Sequence, residues 1–169
     1  MMSEKASSQA SRPAHAAQRV AERCAQALFA ADEASRSLGM RVEAVKPGFA
    51  LLRMTVRNDM VNGHGICHGG IVFALADSAF AVACNTYNAV TVAAAASIDF
   101  LAATRTNDEL TAEARELWRS KRSGIYEISV CNQRGEPIAL FRGARLRQAE
   151  AYPEAAARWC RGRRWRRGK

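Results

Sequence analysis

The chain has 169 residues and a formal net charge of +9 at pH 7, with 49% apolar and 24% charged residues. That balance supports one buried core of the ordinary soluble kind. Its five cysteines, odd in number and without framework spacing, exclude a disulfide scaffold and point to a reduced, cytoplasmic protein. The charge is uneven: residues 151–169 hold seven Arg or Lys against Glu154, which is +6 of the total and leaves +3 for residues 1–150.

Residues 1–13 are polar, end at Pro13 and are expected to be disordered. The N-terminus is rich in Ser, Ala and Arg, as a transit peptide is, but Glu4, Glu22, Asp32 and Glu33 argue against one. The first apolar run, residues 24–31, is too short for a secretory signal and contains Gln26. Residues 14–37 place Val20, Cys24, Leu28 and Ala31 at helical spacing, which predicts one amphipathic helix ending near Gly39. Residues 40–46 read as a weak strand and Pro47-Gly48 as a turn. Residues 49–57 alternate Ala50, Leu52, Met54 and Val56 against Phe49, Leu51, Arg53 and Thr55, which predicts a half-buried strand and a hairpin with the one before it. Further on, residues 90–100 mix helix-favouring alanines at 93–96 with strand-favouring Val90, Thr91, Val92, Ile98 and Phe100. Strand is the better reading because three more strands follow, at 109–118, 124–132 and 137–147, with a hairpin turn at 133–136. The three segments are thus a disordered 1–13, a domain at 14–150 and a basic tail at 151–169.

Between the two groups of strands lies the stretch around which the chain is organised. Residues 62–70 form a glycine-rich turn. Residues 71–87 form an apolar helix, interrupted by Asp77 and Ser78. A helix apolar all round is a buried one, and a membrane span tolerates a central carboxylate poorly. Two strands, a buried helix and four strands without helices between them imply an α+β fold with a mainly antiparallel sheet. A curved sheet wrapped around one long central helix is the hot-dog arrangement.

A carboxylate in such a helix is costly unless it is paired or its pKa rises. Gly69 and Gly70 stand at the helix start, where free N–H groups and the positive dipole end favour an anion. Asp77 follows Gly70 by nearly two whole turns and shares its face, yet Gly69 and Asp77 are about 12 Å apart along the axis. One carbonyl cannot touch both in one chain. Cooperation between them requires two antiparallel copies of the helix, and so a two-fold dimer with sites at its interface.

Several motifs are weaker. Gly63-His64-Gly65 resembles part of a dinucleotide fingerprint, but the third glycine is displaced and no alternating βαβ pattern follows. His64, Cys67 and His68 are metal-ligand types without further partners at zinc spacing. No Gly-x-Ser-x-Gly elbow exists. On spacing alone, Asp77 fits a structural carboxylate satisfied by Ser or backbone as well as it fits a catalytic one.

The run Asn62-Gly63-His64, then Cys67-His68-Gly69-Gly70, Phe73-Ala74-Leu75-Ala76-Asp77-Ser78-Ala79-Phe80-Ala81 and Cys84-Asn85 closely resembles the PaaI-type acyl-CoA thioesterases of phenylacetate degradation, which have the hot-dog fold. The likeness continues in Ser97-Ile98-Asp99-Phe100-Leu101, Gly124-Ile125-Tyr126 and Ala139-Leu140-Phe141-Arg142-Gly143, over roughly residues 22–147. It implies hydrolysis of aryl-acetyl-CoA esters, of the phenylacetyl-CoA or hydroxyphenylacetyl-CoA type, to free acid and CoA. Asp77 would be general base or nucleophile, and the Gly69 N–H would polarise the thioester carbonyl. Asn62 would help bind the carbonyl or the water, and His68 would line the site. Gly70 and Ser78 would bind substrate beside them. Carboxylate and glycine would come from different subunits of a homodimer or a homotetramer built as a dimer of dimers.

Lys121-Arg122, in a loop ahead of the strand at 124–132, are candidates for the CoA phosphates. No metal or other cofactor is expected, and neither a membrane nor a nucleic acid is expected as partner. The alternatives are a non-catalytic acyl-CoA sensor and an acyl-thioester hydratase or dehydratase; the latter needs a catalytic His, and none follows His68. Two features depart from the family pattern. Ala102-Ala103-Thr104-Arg105 stands where a proline usually follows the strand, and the basic tail has no counterpart.

Overall fold

The computed structural model describes residues 4–148, with side chains from Pro13 onward. Helix α1 spans Glu4–Ala31. It starts ahead of the expected boundary at residue 14, and its backbone runs through Pro13. Ala, Gln, Glu and Lys favour helix there, and the missing proline N–H removes one ladder bond. Nor does the helix run on to residue 37. Asp32 interrupts it, accepting the Ser35 N–H at 3.0 Å and capping a separate short helix, α2 (Glu33–Ser37). The basic tail expected at 151–169 lies outside the described residues.

The strands are β1 (Arg41–Lys46), β2 (Phe49–Thr55), β3 (Thr91–Phe100), β4 (Glu109–Arg119), β5 (Ser123–Cys131) and β6 (Pro137–Arg147). They form one antiparallel sheet in the order β1-β2-β4-β5-β6-β3. The chain therefore carries β3 past the three strands that follow it, to the far edge beside β6. The 90–100 segment is a strand despite its alanines, because β6 supplies a full ladder along one side.

Helix α3 (Gly69–Cys84) lies in the hollow of the sheet, across β2, β4 and β5. The alternation of β2 sends Ala50, Leu52, Met54 and Val56 inward, all fully buried. Leu75, Ala76, Ala79 and Phe80 of α3 meet them, and Phe80 packs edge-on to Tyr126 with ring centroids 5.4 Å apart. Under Phe80 runs β6, where a Cβ on Gly143 would come within 2.9 Å of the ring. A glycine is needed there for the sheet to close on the helix. No helix among the described residues is long and apolar enough to cross a membrane.

The connection from β3 to β4 is knotted by one carboxylate. Asp108 accepts hydrogen bonds from Thr104 Oγ1 and the Arg105 N–H, both at 2.8 Å, and from Gln133 Nε2 at 2.9 Å. The Arg105 N–H foremost, then Gln133, hold Asp108 down at about 2, below its ordinary 3.8. A carboxylate depressed in the folded state stabilises it above the unfolded value, and that contribution fades as pH falls through the folded one. Asp108→Ala should cost about 1–3 kcal/mol of unfolding free energy at neutral pH, since the buried Thr104 hydroxyl and two partly buried N–H donors lose their acceptor. Urea titrations should show the gap between parent and variant narrowing as the pH drops from about 4 towards about 2.

Candidate active site

The glycine-rich stretch is a tight loop anchored at both ends. Asn62 Oδ1 accepts the His64 N–H at 2.9 Å, and the Asn62 N–H donates to the Ile66 carbonyl at 2.8 Å. Gly65 takes φ +71° in between, a conformation that favours glycine. With its oxygen engaged, the Asn62 side chain has its amide Nδ2 left as the outward donor.

His68 caps α3. Its Nδ1 accepts the Gly70 N–H at 2.9 Å, so the neutral ring carries its proton on Nε2. That bond uses the Gly70 N–H. The Gly69 N–H has no acceptor among the described residues. It stands at the positive end of a helix of 16 residues and is the open donor of this loop.

A pocket of about 330 Å³ opens here, lined by Asn62, Cys67, Gly69, Phe100, Thr104 and Ile138 among others. Phe100 comes from the end of β3, and its ring would lie 3.1 Å from a Cβ on Gly69. The segment after β3 closes the pocket. Leu101 and Ala102 donate their N–H groups to the Ile138 carbonyl at 2.9 and 3.3 Å, and the Thr104 carbonyl accepts the Cys67 N–H at 2.8 Å. This is the stretch where the family pattern carries proline. Here the Ala102 N–H, which proline lacks, takes part in holding the loop.

Asp77 is two turns along α3 and does not line this pocket. It is half-buried, and its carboxylate accepts no hydrogen bond among the described residues. Burial first, and then the negative charge of Asp32, push its pKa up from the ordinary 3.8. The structural alternative needed a partner such as Ser78 for this carboxylate. Ser78 instead meets Ser35 of α2, Oγ to Oγ at 2.7 Å, and Ser35 Oγ lies 2.5 Å from Asp32 Oδ2.

Lys121 and Arg122 are exposed in the β4–β5 turn, where the Arg122 carbonyl accepts the Arg147 N–H at 2.8 Å. Arg147 and Ile138 mark opposite ends of β6, about 30 Å apart at strand rise. One chain thus sets Asn62 and Gly69 in the pocket lining, while His68 and Gly70, bonded to each other beside Gly69, are not part of it. It holds Asp77 and Ser78 further along the helix and keeps Lys121 and Arg122 at the other end of the sheet. Among the described residues, no group of three or more His, Cys, Asp or Glu side chains is placed to hold a metal ion.

Sequence reading missed Phe100, Thr104, Asp32 and Ser35 as neighbours of the site. Asp32 carried a signal, an N-cap residue type followed by an acidic first-turn residue, Glu33, which marks a helix start. It was hidden inside a run of good helix formers.

The chain is 44% identical, over 119 residues, to the acyl-coenzyme A thioesterase PaaI of Escherichia coli strain K12, covering 70% of this chain and 85% of that protein. It belongs to the PaaI-type acyl-CoA thioesterases. A family model described as the thioesterase superfamily matches residues 64–139, from the glycine-rich loop to β6. The solved structure of the E. coli PaaI protein superposes with a TM-score of 0.78 at 40% identity, covering 79% of this chain and 97% of that one. A mutant PaaI from Thermus thermophilus superposes at 0.67 with 36% identity, covering 69% of this chain and 100% of that one. The fold is the hot-dog fold of these PaaI-type enzymes, and the chain is a thioester hydrolase.

Gly69→Ala keeps the N–H but sets a methyl 3.1–3.6 Å from the Phe100 ring. The ring must give by a few tenths of an ångström, which shifts the pocket wall while the fold stays. Acyl-CoA turnover should fall by about tenfold or more, with little change in melting temperature. Parental turnover in a CoA-release assay would detach the position of the Phe100 wall, though not the Gly69 N–H, from the reaction.

Proposed function

We propose that the chain hydrolyses aryl-acetyl-CoA esters, of the phenylacetyl-CoA or hydroxyphenylacetyl-CoA type, to free acid and CoA as a cytoplasmic step of phenylacetate catabolism. The solved relatives support this reading. The E. coli protein comes from the phenylacetic acid degradation operon, and the T. thermophilus one is a phenylacetic acid degradation protein.

One observation carries the mechanism. The open N–H of Gly69 and the only carboxylate of α3, Asp77, lie on one helix but too far apart to serve one carbonyl. Next to them, β3 is an edge strand with six successive residues exposed, 92–97, and with Phe100 55% exposed. The stretch 92–97 carries no charge, Asp99 being the one acid of β3, and an unpaired edge of this kind invites a second strand. Two-fold pairing of β3 with its copy is antiparallel, so the end of one β3 lies beside the start of the other. The same axis carries the partner's Asp77 towards this chain's Gly69.

In that site the Gly69 N–H and the helix end polarise the thioester carbonyl, where negative charge develops. Asn62 Nδ2 donates to the carbonyl or the water, and His68 offers its Nε2 proton from the rim. The partner's Asp77, ionised, either takes a proton from the attacking water and passes it to the CoA thiolate as the C–S bond breaks, or attacks the carbonyl itself, expels the thiolate and forms an acyl anhydride that a water then hydrolyses to free acid and the carboxylate. Since Asp77 acts ionised, the rate rises with pH through its raised pKa.

Two tests address this. Asp77→Asn should keep the fold and lower turnover by several orders of magnitude. Refolded together with an inactive Asn62→Ala chain, it should recover activity, approaching about a quarter of the parental value per site for random mixing. Mixed dimers without activity would refute a shared site. The same two-fold brings the partner's β4–β5 turn towards the pocket, which offers Lys121 and Arg122 to the CoA phosphates. Changing both to Ala should raise KM and leave kcat near parental, because remote phosphate contacts bind ground and transition states alike. An unchanged KM at low salt would discard that role.

A further inference from the structure

We propose that Asp32, at the junction of α1 and α2, is a positioning residue for Asp77: through Ser35 and Ser78 it fixes α2 on the middle of α3 and keeps a second negative charge beside the catalytic carboxylate. This rests on the reading of Asp77 as the carboxylate that acts on the thioester.

The geometry goes beyond helix capping. A cap needs one carboxylate oxygen, and Asp32 Oδ1 fills that role by accepting the Ser35 N–H at 3.0 Å. The second oxygen, Oδ2, lies 2.5 Å from Ser35 Oγ. An ionised carboxylate only accepts, so the Ser35 hydroxyl donates to it. The Ser35 oxygen can then only accept from Ser78 Oγ, 2.7 Å away. The direction of the chain is therefore set from Ser78 to Ser35 to Asp32. A serine inside a helix ordinarily bonds back to its own helix. Here Ser78, next to Asp77, is turned out to α2. Ser35 is 3% exposed, so its hydroxyl depends on both bonds.

The other charges around Asp77 are engaged or turned away. On α2, Glu33 and Arg36 pair with each other at the surface. On α1, Ala21, Cys24 and Ala25 face inward while Glu22 and Arg23 are exposed. On the sheet side, Glu116 is held by Tyr87, Tyr126 and Arg119, and Arg145 sits near Cys84, two turns along α3 from Asp77. Asp32 is the charge that acts on Asp77, and it acts in the same direction as burial. Removing that charge favours the ionised Asp77.

The test is the pH profile of kcat for CoA-ester hydrolysis. Asp32→Asn keeps the cap on Oδ1, since Asn caps about as well as Asp, and removes the charge; its Nδ2 donates to Ser35 Oγ, which then donates to Ser78, so the hydroxyl link is reversed and not broken. Its acid limb should move to lower pH, so that it exceeds the parent in activity on that limb, while its melting temperature stays near parental. Ser35→Ala, which breaks the chain of hydroxyls, should move the limb the same way by less, and it decides the matter if Asp32→Asn does not fold. A limb at the parental pH in the folded variants, with Asp77→Asn inactive, overturns the role of Asp32 and leaves that of Asp77 standing. Parental turnover in Asp77→Asn would instead overturn the site assignment itself.

Discussion

The structure depends on enclosing a helix that has almost no polar face. Water is excluded from α3 on the sheet side by β2, β4, β5 and β6, and close approach is the condition for that. Phe80 sets the limit: β6 passes beneath its ring because position 143 has no side chain. Burying an aromatic of this size is worth several kcal/mol in a packed core, on the order of 3–5 when it is truncated to Ala. What the sheet cannot cover is the side of α3 that carries Ala74, Asp77, Ser78 and Ala81, all only partly buried. The carboxylate of the helix is on the side that the sheet leaves to α1 and α2, which cover it only in part. Its half-burial raises its pKa without abolishing its contact with the outside.

Electrostatics divides the length of α3 into two unlike parts. The start is a donor end, with one N–H taken by His68 and one open. The middle is an acceptor surrounded by alanines and disfavoured as an anion. A thioester needs a donor at its oxygen and a base or nucleophile at its carbon. Held about 12 Å apart on one rigid rod, the length of eight helical residues, these two groups neither neutralise nor hydrogen-bond each other. In the proposed mechanism, keeping them apart within the chain preserves both for the reaction.

Much of this was legible in the residues. Alternation in 49–57 and 124–132 marked strands whose inward residues are fully buried, and the apolar run after His68 marked α3. Spacing alone separated Gly69 from Asp77. Strand order was not legible, because the pairing of β3 with β6 is set by closure of the sheet around α3 and not by local pattern. The break at Asp32 was masked by neighbours of high helix propensity, and the early start of α1 by the polar composition of the residues ahead of Pro13. The β3–β4 connection was also opaque, since its shape comes from Asp108 and from bonds to Ile138 and Cys67, distant in sequence. The position of Lys121 and Arg122 relative to the pocket depended on the same tertiary facts.

The place of β3 bears on how the chain acquires its fold. β3 finds its ladder only on β6, the last strand described, and β2 finds its second neighbour only on β4, beyond α3. Both pairings close long loops, which is slow. A chain emerging from the ribosome has α3 and β3 in the open before β6 exists, the helix without most of its cover and the strand without any partner. The apolar helix is thus exposed longest at the stage when the chain is least complete. Arrival of β6, with Gly143 sliding under Phe80, is the step that shuts the core and seats β3 at once.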